Sequence, residues 1–175
     1  GLGKDSEGQL NPNLWTYDFN TANWNQSSFQ TFSRFPYIAN NYFGGGAINF
    51  IGSKIFTNEF WHFDGSNFIK KADSPFRLYK AIAFDLEDQI IVMGGSSQNG
   101  NSNDLMYSYN KSLDEWSFIG LCPFEILNPA PHFIYQNELY AYNKEESEMW
   151  RFNNSNSTWE SFITVPIEAS NGGLA

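Results

Sequence analysis

The stretch Gln89–Trp116, QIIVMGGSSQNGNSNDLMYSYNKSLDEW, decides how the rest of the chain is read. An apolar segment, Ile90-Ile91-Val92-Met93, runs into the diglycine Gly94-Gly95 and then into a polar loop of Ser, Asn and Gly. Beyond the loop, Tyr107 and Tyr109 alternate with Met106 and Ser108, the period of a strand with two distinct faces. Asn110 to Asp114 is a polar turn, and Trp116 follows seven positions after Tyr109. Short strands separated by turn residues read as antiparallel hairpins.

Working outward, three further segments superimpose on LMYSYNKSLDEW (105–116): LWTYDFNTANW (14–24), EFWHFDGSNF (59–68) and EMWRFNNSNSTW (148–159). Each places an aromatic before a turn residue, as Tyr17-Asp18, Phe63-Asp64, Tyr109-Asn110 and Phe152-Asn153, at separations of 46, 46 and 43 residues. Trp24, Trp116 and Trp159 follow seven positions later, while the second copy has a shorter turn and ends on Phe68. Two strands are expected upstream of each hairpin: Ala47–Ile51 and Lys54–Phe56, Lys80–Phe84 and Gln89–Met93, Pro131–Tyr135 and Glu138–Tyr142. Four short strands every 43–46 residues is the arithmetic of a propeller blade, a sheet apolar on both faces that neighbours must bury. This aromatic register sets Thr57-Asn58 and Asn143-Lys144 opposite Gly94-Gly95, and leaves Gly44-Gly45-Gly46 out of line with them.

Apolar strand, diglycine, Tyr before a turn residue, then Trp resembles the kelch repeat, and the likeness extends over nearly the whole chain. It implies an all-β, kelch-type β-propeller with three complete four-stranded blades and two partial ones, a fragment of a six- or seven-bladed ring. The expected divisions are the outer half of a first blade (1–30), blades at 31–73, 74–121 and 122–164, and the start of another (165–175). The remaining blades are then expected elsewhere in the same protein. The glycines would let the chain leave a central strand at positive φ, and the Trp would close the outer hairpin against the adjacent sheet.

Composition narrows the function. Aromatics make up 18% of the 175 residues, and the formal charge is −9. Without a basic cluster beyond Lys70-Lys71, nucleic acid is not an expected partner, and no apolar run is long enough to insert in a membrane. One cysteine, Cys122, allows no internal disulfide, which fits a cytoplasmic setting. The sequons at Asn25, Asn110, Asn153 and Asn156 do not decide between compartments.

No catalytic, cofactor or metal constellation is read. His62 and His132 stand apart, Cys122 has no nearby His, and the acidic pairs Glu87-Asp88, Asp114-Glu115 and Glu145-Glu146 are expected in solvated turns. In a propeller, connections between blades and loops between second and third strands emerge on one face. Here these are 27–42, 72–79 and 121–131, with 4–12 and 96–104. Arg34, Phe35, Tyr37, Arg77 and Tyr79 fall in these segments, and Arg and Tyr are natural interface anchors. The resemblance implies that kelch adaptors bind protein partners through this face, and Arg77 precedes its blade as a kelch Arg commonly does. Bracing of a neighbouring loop is the other role open to Arg77. Lys111, in a turn between third and fourth strands, is expected on the opposite face. The expected function is a non-catalytic protein–protein interaction module. The alternatives are part of a kelch-fold enzyme (copper radical oxidase or sugar-processing type) and a protein that binds cytoskeletal filaments.

Overall fold

The computed structural model describes residues 3–4, 10–11, 13–28, 36–50, 53–126 and 130–166. Alternating sequences broken by turn residues give, in order, β1 (Gly3–Lys4), β2 (Leu10–Asn11), β3 (Asn13–Asp18), β4 (Asn23–Ser28), β5 (Tyr37–Ala39) and β6 (Tyr42–Gly44). There follow β7 (Ala47–Phe50), β8 (Ser53–Phe56), β9 (Phe60–Phe63), β10 (Phe68–Lys71), β11 (Ile82–Asp85) and β12 (Gln89–Met93). The last are β13 (Leu105–Asn110), β14 (Glu115–Leu121), β15 (His132–Tyr135), β16 (Glu138–Asn143), β17 (Glu148–Asn153) and β18 (Thr158–Thr164). The described residues contain no helix. Three four-stranded antiparallel sheets, β5-β6-β9-β10, β11-β12-β13-β14 and β15-β16-β17-β18, are accompanied by the pairs β1-β2, β3-β4 and β7-β8. We call the three large sheets the second, third and fourth, after the hairpin β3-β4.

The residue after each repeat aromatic explains the recurring turn. The side-chain oxygen of Asp18 accepts the Asn20 amide at 2.8 Å, Asp64 those of Ser66 and Asn67, Asn110 those of Ser112 and Leu113, and Asn153 that of Ser155. A short side chain thus satisfies turn amides that the ladder cannot reach. Ala22, Asp114 and Ser157 sit at the same place in three of these turns, with φ of 53°, 57° and 56°.

Both faces of the third sheet are covered. Ala83, Ile90, Val92 and Tyr109 pack with Tyr37, Ala39 and Phe60 of the second sheet. Ile82, Phe84, Ile91, Met93 and Met106 pack with Leu139, Ala141 and Phe152 of the fourth. A polar clamp reinforces the first seam. Trp116 Nε1 donates to the Ala72 carbonyl at 2.9 Å, and the Ala72 amide donates to Asp114 at 2.8 Å. The buried Tyr109 hydroxyl donates to the same Asp114 oxygen at 2.7 Å. Burial pulls the Asp114 carboxyl upward, but the Ala72 N–H and the Tyr109 hydroxyl outweigh it and hold the group below the ordinary aspartate value. Asp114 is therefore more than a solvated turn charge. At the second seam Phe152 and Ser157 replace Tyr109 and Asp114, and Trp159 Nε1 meets Met106 Sδ at 3.0 Å.

The second sheet departs from the expected strands. Its first two are β5 and β6, joined through Asn40 at φ 51°, and the segment 47–56 is a separate hairpin projecting between β6 and β9. Gly45 and Gly46 (φ 60° and 86°) do for this sheet what Gly94 and Gly95 (φ 71° and 81°) do for the third. Thr57 returns to the Gly46 carbonyl as Asn103 returns to that of Gly95, so Thr57 corresponds to Asn103 and not to the diglycine. The misreading came from spacing: the projecting loop is longer in the second sheet, and β5 and β6 are only three residues each. In the fourth sheet Asn143 and Lys144 are absent from the positive-φ set, and the turn is short, with only Ser147 at φ 56°.

Two stability predictions follow from these contacts. A Cβ at Gly95 would lie 2.7 Å from the Tyr79 carbonyl oxygen, whereas one at Gly65 meets nothing within 4 Å. Gly95→Ala should lower stability by about 2 kcal/mol or more and Gly65→Ala by about 1 kcal/mol, read from denaturant midpoints. Asp114→Ala strands the buried Tyr109 hydroxyl and should cost about 1–2 kcal/mol, while Asp88→Ala, at an exposed position, should stay within about 0.5 kcal/mol.

Candidate interaction face

Hydrogen bonds sort the connections onto two faces. Gly46 N donates to Leu78 O at 2.7 Å and Gly95 N to Ile126 O at 2.6 Å. The second glycine of each diglycine thus holds the segment that enters the next sheet. The same face carries the hairpin β7-β8 and the loop 96–104, which is organised by Ser96↔Ser102 and Ser97 N to Asn101 O. On the opposite face Lys111 Nζ reaches the Leu86 and Glu87 carbonyls, and Asn154 Nδ2 the Asn137 carbonyl.

Tyr79 lies where the two projections meet. It exchanges backbone hydrogen bonds with Ser96 at 3.0 and 2.8 Å, and its ring is 5.7 Å from that of Phe56 at the base of β8. Lys80, at φ 63°, places its ammonium 5.4 Å from the Tyr79 ring centroid. Tyr79 keeps intermediate exposure, and Arg77 two residues earlier is exposed and, among the described residues, has no ion pair. Among the described residues the Arg77 side chain makes no hydrogen bond to a neighbouring loop. Ile55, on the hairpin, is also exposed.

Tyr37 must be removed from this face. It is 2% exposed, begins β5, and packs on Phe60 and Phe76. The segment 27–42 reads as a connection because β5 within it and β6 starting at its end are only three residues each. Arg34 and Phe35 lie outside the described residues. Sequence reasoning overlooked the hairpin β7-β8 as part of the face. The signal was present in Gly44-Gly45-Gly46, whose match to Gly94-Gly95 places everything from Ala47 to Phe56 in a projecting loop.

The groups with chemistry to offer are otherwise engaged in structure. His132 Nδ1 is 2.7 Å from the Ala130 carbonyl, with its ring edge-on to Phe84. Lys111 is pinned rather than solvated: besides the two carbonyls it binds Asp85 at 2.5 Å. Cys122 is buried, its Sγ donates to the Phe124 carbonyl at 3.1 Å, and burial pushes the thiol up to about 12. Among the described residues no group of three or more His, Cys, Asp or Glu could hold a metal ion, and no helix is long and apolar enough to cross a membrane. The opposite face carries a polar cleft of about 180 Å³ between Leu86–Gln89, Asn137 and Asn154.

No family model matches the chain, and no curated protein sequence does. Among solved structures the chain is similar in fold to YjhT, with a TM-score of 0.69 at 14% sequence identity. That match takes in 82% of this chain and 56% of the other, so the chain spans little more than half the length of its structural relative.

A thiol held near 12 is almost wholly protonated at pH 8. Folded protein should react with an aromatic disulfide reagent at least about 100-fold more slowly than the denatured chain, and rapid labelling of the folded form would contradict the burial of Cys122.

Proposed function

We propose that the sheets are kelch-type propeller blades and that the face bearing Arg77, Tyr79, β7-β8 and the loop 96–104 binds a protein partner. One observation carries the reading. An exposed Arg and a half-exposed Tyr stand between two organised projections, over a backbone fixed by the paired glycines. A guanidinium and an aromatic ring combine contact area with hydrogen bonding, which favours them as anchors, and the fixed backbone beneath them lowers the cost of ordering the loop. Charge reversal at Arg77 removes the attraction and adds a repulsion.

In affinity capture with the full-length protein, Arg77→Glu should weaken partner retention by about 30-fold, equivalent to about 2 kcal/mol, without changing the melting temperature. Glu87→Lys reverses an exposed charge on the opposite face and serves as the control. Equal retention by both variants would show that the face is not the interface. Loss of folding in Arg77→Glu would assign the residue a bracing role.

The same reading includes further blades in the parent protein. On the fourth sheet, the side away from the third exposes Phe133, Tyr135 and Phe162, and the buried Tyr142 hydroxyl has no hydrogen-bond partner among the described residues. The corresponding sides of the second and third sheets are covered by the next sheet along. Residues 1–175 expressed alone should therefore aggregate, while a longer chain with additional repeats stays monodisperse in size-exclusion chromatography. A monodisperse fragment with one sharp melting transition would overturn this.

A further inference from the structure

On the reading that the face bearing Arg77 is an interface, we propose that it has a basic and an acidic pole. It then fits an extended segment of a partner protein that carries a carboxylate and, about three residues along, a cationic side chain. The poles come from one repeated segment. Ser74-Pro75-Phe76-Arg77-Leu78 and Cys122-Pro123-Phe124-Glu125-Ile126 enter the third and fourth sheets with the same pattern. Ser74 N donates to Asn58 O at 2.8 Å and Cys122 N to Asp104 O at 2.7 Å. The two segments are therefore held alike at this end, as they are at the glycines.

Burial alternates in the same way along both. Ser74, Leu78, Cys122, Phe124 and Ile126 are buried and Phe76 is half-buried, which turns Arg77 and Glu125 outward at equivalent positions on neighbouring sheets. Both are exposed, their charges are opposite, and among the described residues neither side chain has a hydrogen bond or an ion pair. Each is seconded by a charge of its own sign. Lys80, its ammonium near the Tyr79 ring, follows Arg77 by three residues. Exposed Asp104 holds the Cys122 amide, where the second sheet has the uncharged Asn58. Asp73, the acid nearest Arg77 in the sequence, is paired with Lys70 at 3.2 Å. The turn 144–147 adds exposed Lys144 and Glu145, one of each sign, and so strengthens neither pole.

Spacing selects the form of the occupant. Equivalent points on sheets packed face to face lie about 10 Å apart. A polyproline II segment returns a side chain to the same side every three residues, after about 9 Å. A carboxylate on Arg77 thus brings the side chain three residues away over Glu125, where a cation is attracted and an anion repelled. A segment of a single charge sign gains at one pole and loses at the other, so the face selects by sign and order.

The probe is a library of random peptides displayed on phage and selected against the full-length protein. Enriched peptides should carry an acid and a base about three residues apart. Arg77→Glu and Glu125→Arg should each weaken a selected peptide by about tenfold or more, at unchanged melting temperature. The doubly reversed protein should prefer the same peptide with its acid and base exchanged. Enrichment of one charge sign alone, no enrichment, or a doubly reversed protein that keeps the original preference overturns the proposal. So does normal binding by Glu125→Arg. In that case a loss in Arg77→Glu leaves the face standing as an interface without its second pole, and normal binding by both variants removes the interface as well. Should either reversal fail to fold, Arg77→Gln or Glu125→Gln takes its place, and a loss of less than about threefold then counts against the pole.

Discussion

The arrangement depends on the third sheet having no polar face. Ile90 and Val92 point one way, Ile91 and Met93 the other, and all four are essentially inaccessible to water. A sheet of this kind has to be enclosed on both sides, and burial of large apolar side chains at about 25 cal/mol per Å² is what makes enclosure favourable. The neighbouring sheets are built to supply that cover. The diglycines, the Trp116 clamp and the entering segments at Leu78 and Ile126 are devices for bringing one sheet against the next at close range. The diglycines and the entering segments meet through backbone atoms, whereas the clamp depends on the side chains of Trp116, Asp114 and Tyr109.

Much of this was legible in the order of residues. The aromatic followed by Asp or Asn marks the hairpin because the side-chain oxygen caps the turn, a local interaction that no distant contact has to assist. The third and fourth sheets, with long apolar runs such as Ile90–Met93 and short turns, follow the expected strands closely. The second sheet was misread because β5 and β6 carry too few residues for alternation to be visible, while the projecting hairpin imitates a strand pair of ordinary length. Local pattern cannot say which of two adjacent hairpins joins a sheet. That choice is made by tertiary contact, here by the Gly46 amide on Leu78 O.

The candidate face was legible only in part. Strand parity assigns connections to one side or the other, and the hydrogen bonds of Gly46, Gly95 and Lys111 sort as parity requires. Parity does not tell which side chains in a connection remain exposed. Arg77 does, whereas Tyr37 is drawn into the core by Phe60 and Phe76. Charge alone was equally silent about Lys111 and Asp114, which sit in polar turns yet tie neighbouring segments together.

The projections on the candidate face differ in length from sheet to sheet: a hairpin over 47–56, a folded loop over 96–104 and a tight turn over 144–147. The entropic cost of closing a loop rises only with the logarithm of its length, so such differences weigh little against the buried seams. Frame and ornament are therefore under separate physical control. Residues can be added or removed above the glycines without disturbing the register below them. A chain built this way can acquire new surface shapes by small insertions while its core sequence stands still, an arrangement that favours divergence of binding properties among proteins sharing one scaffold.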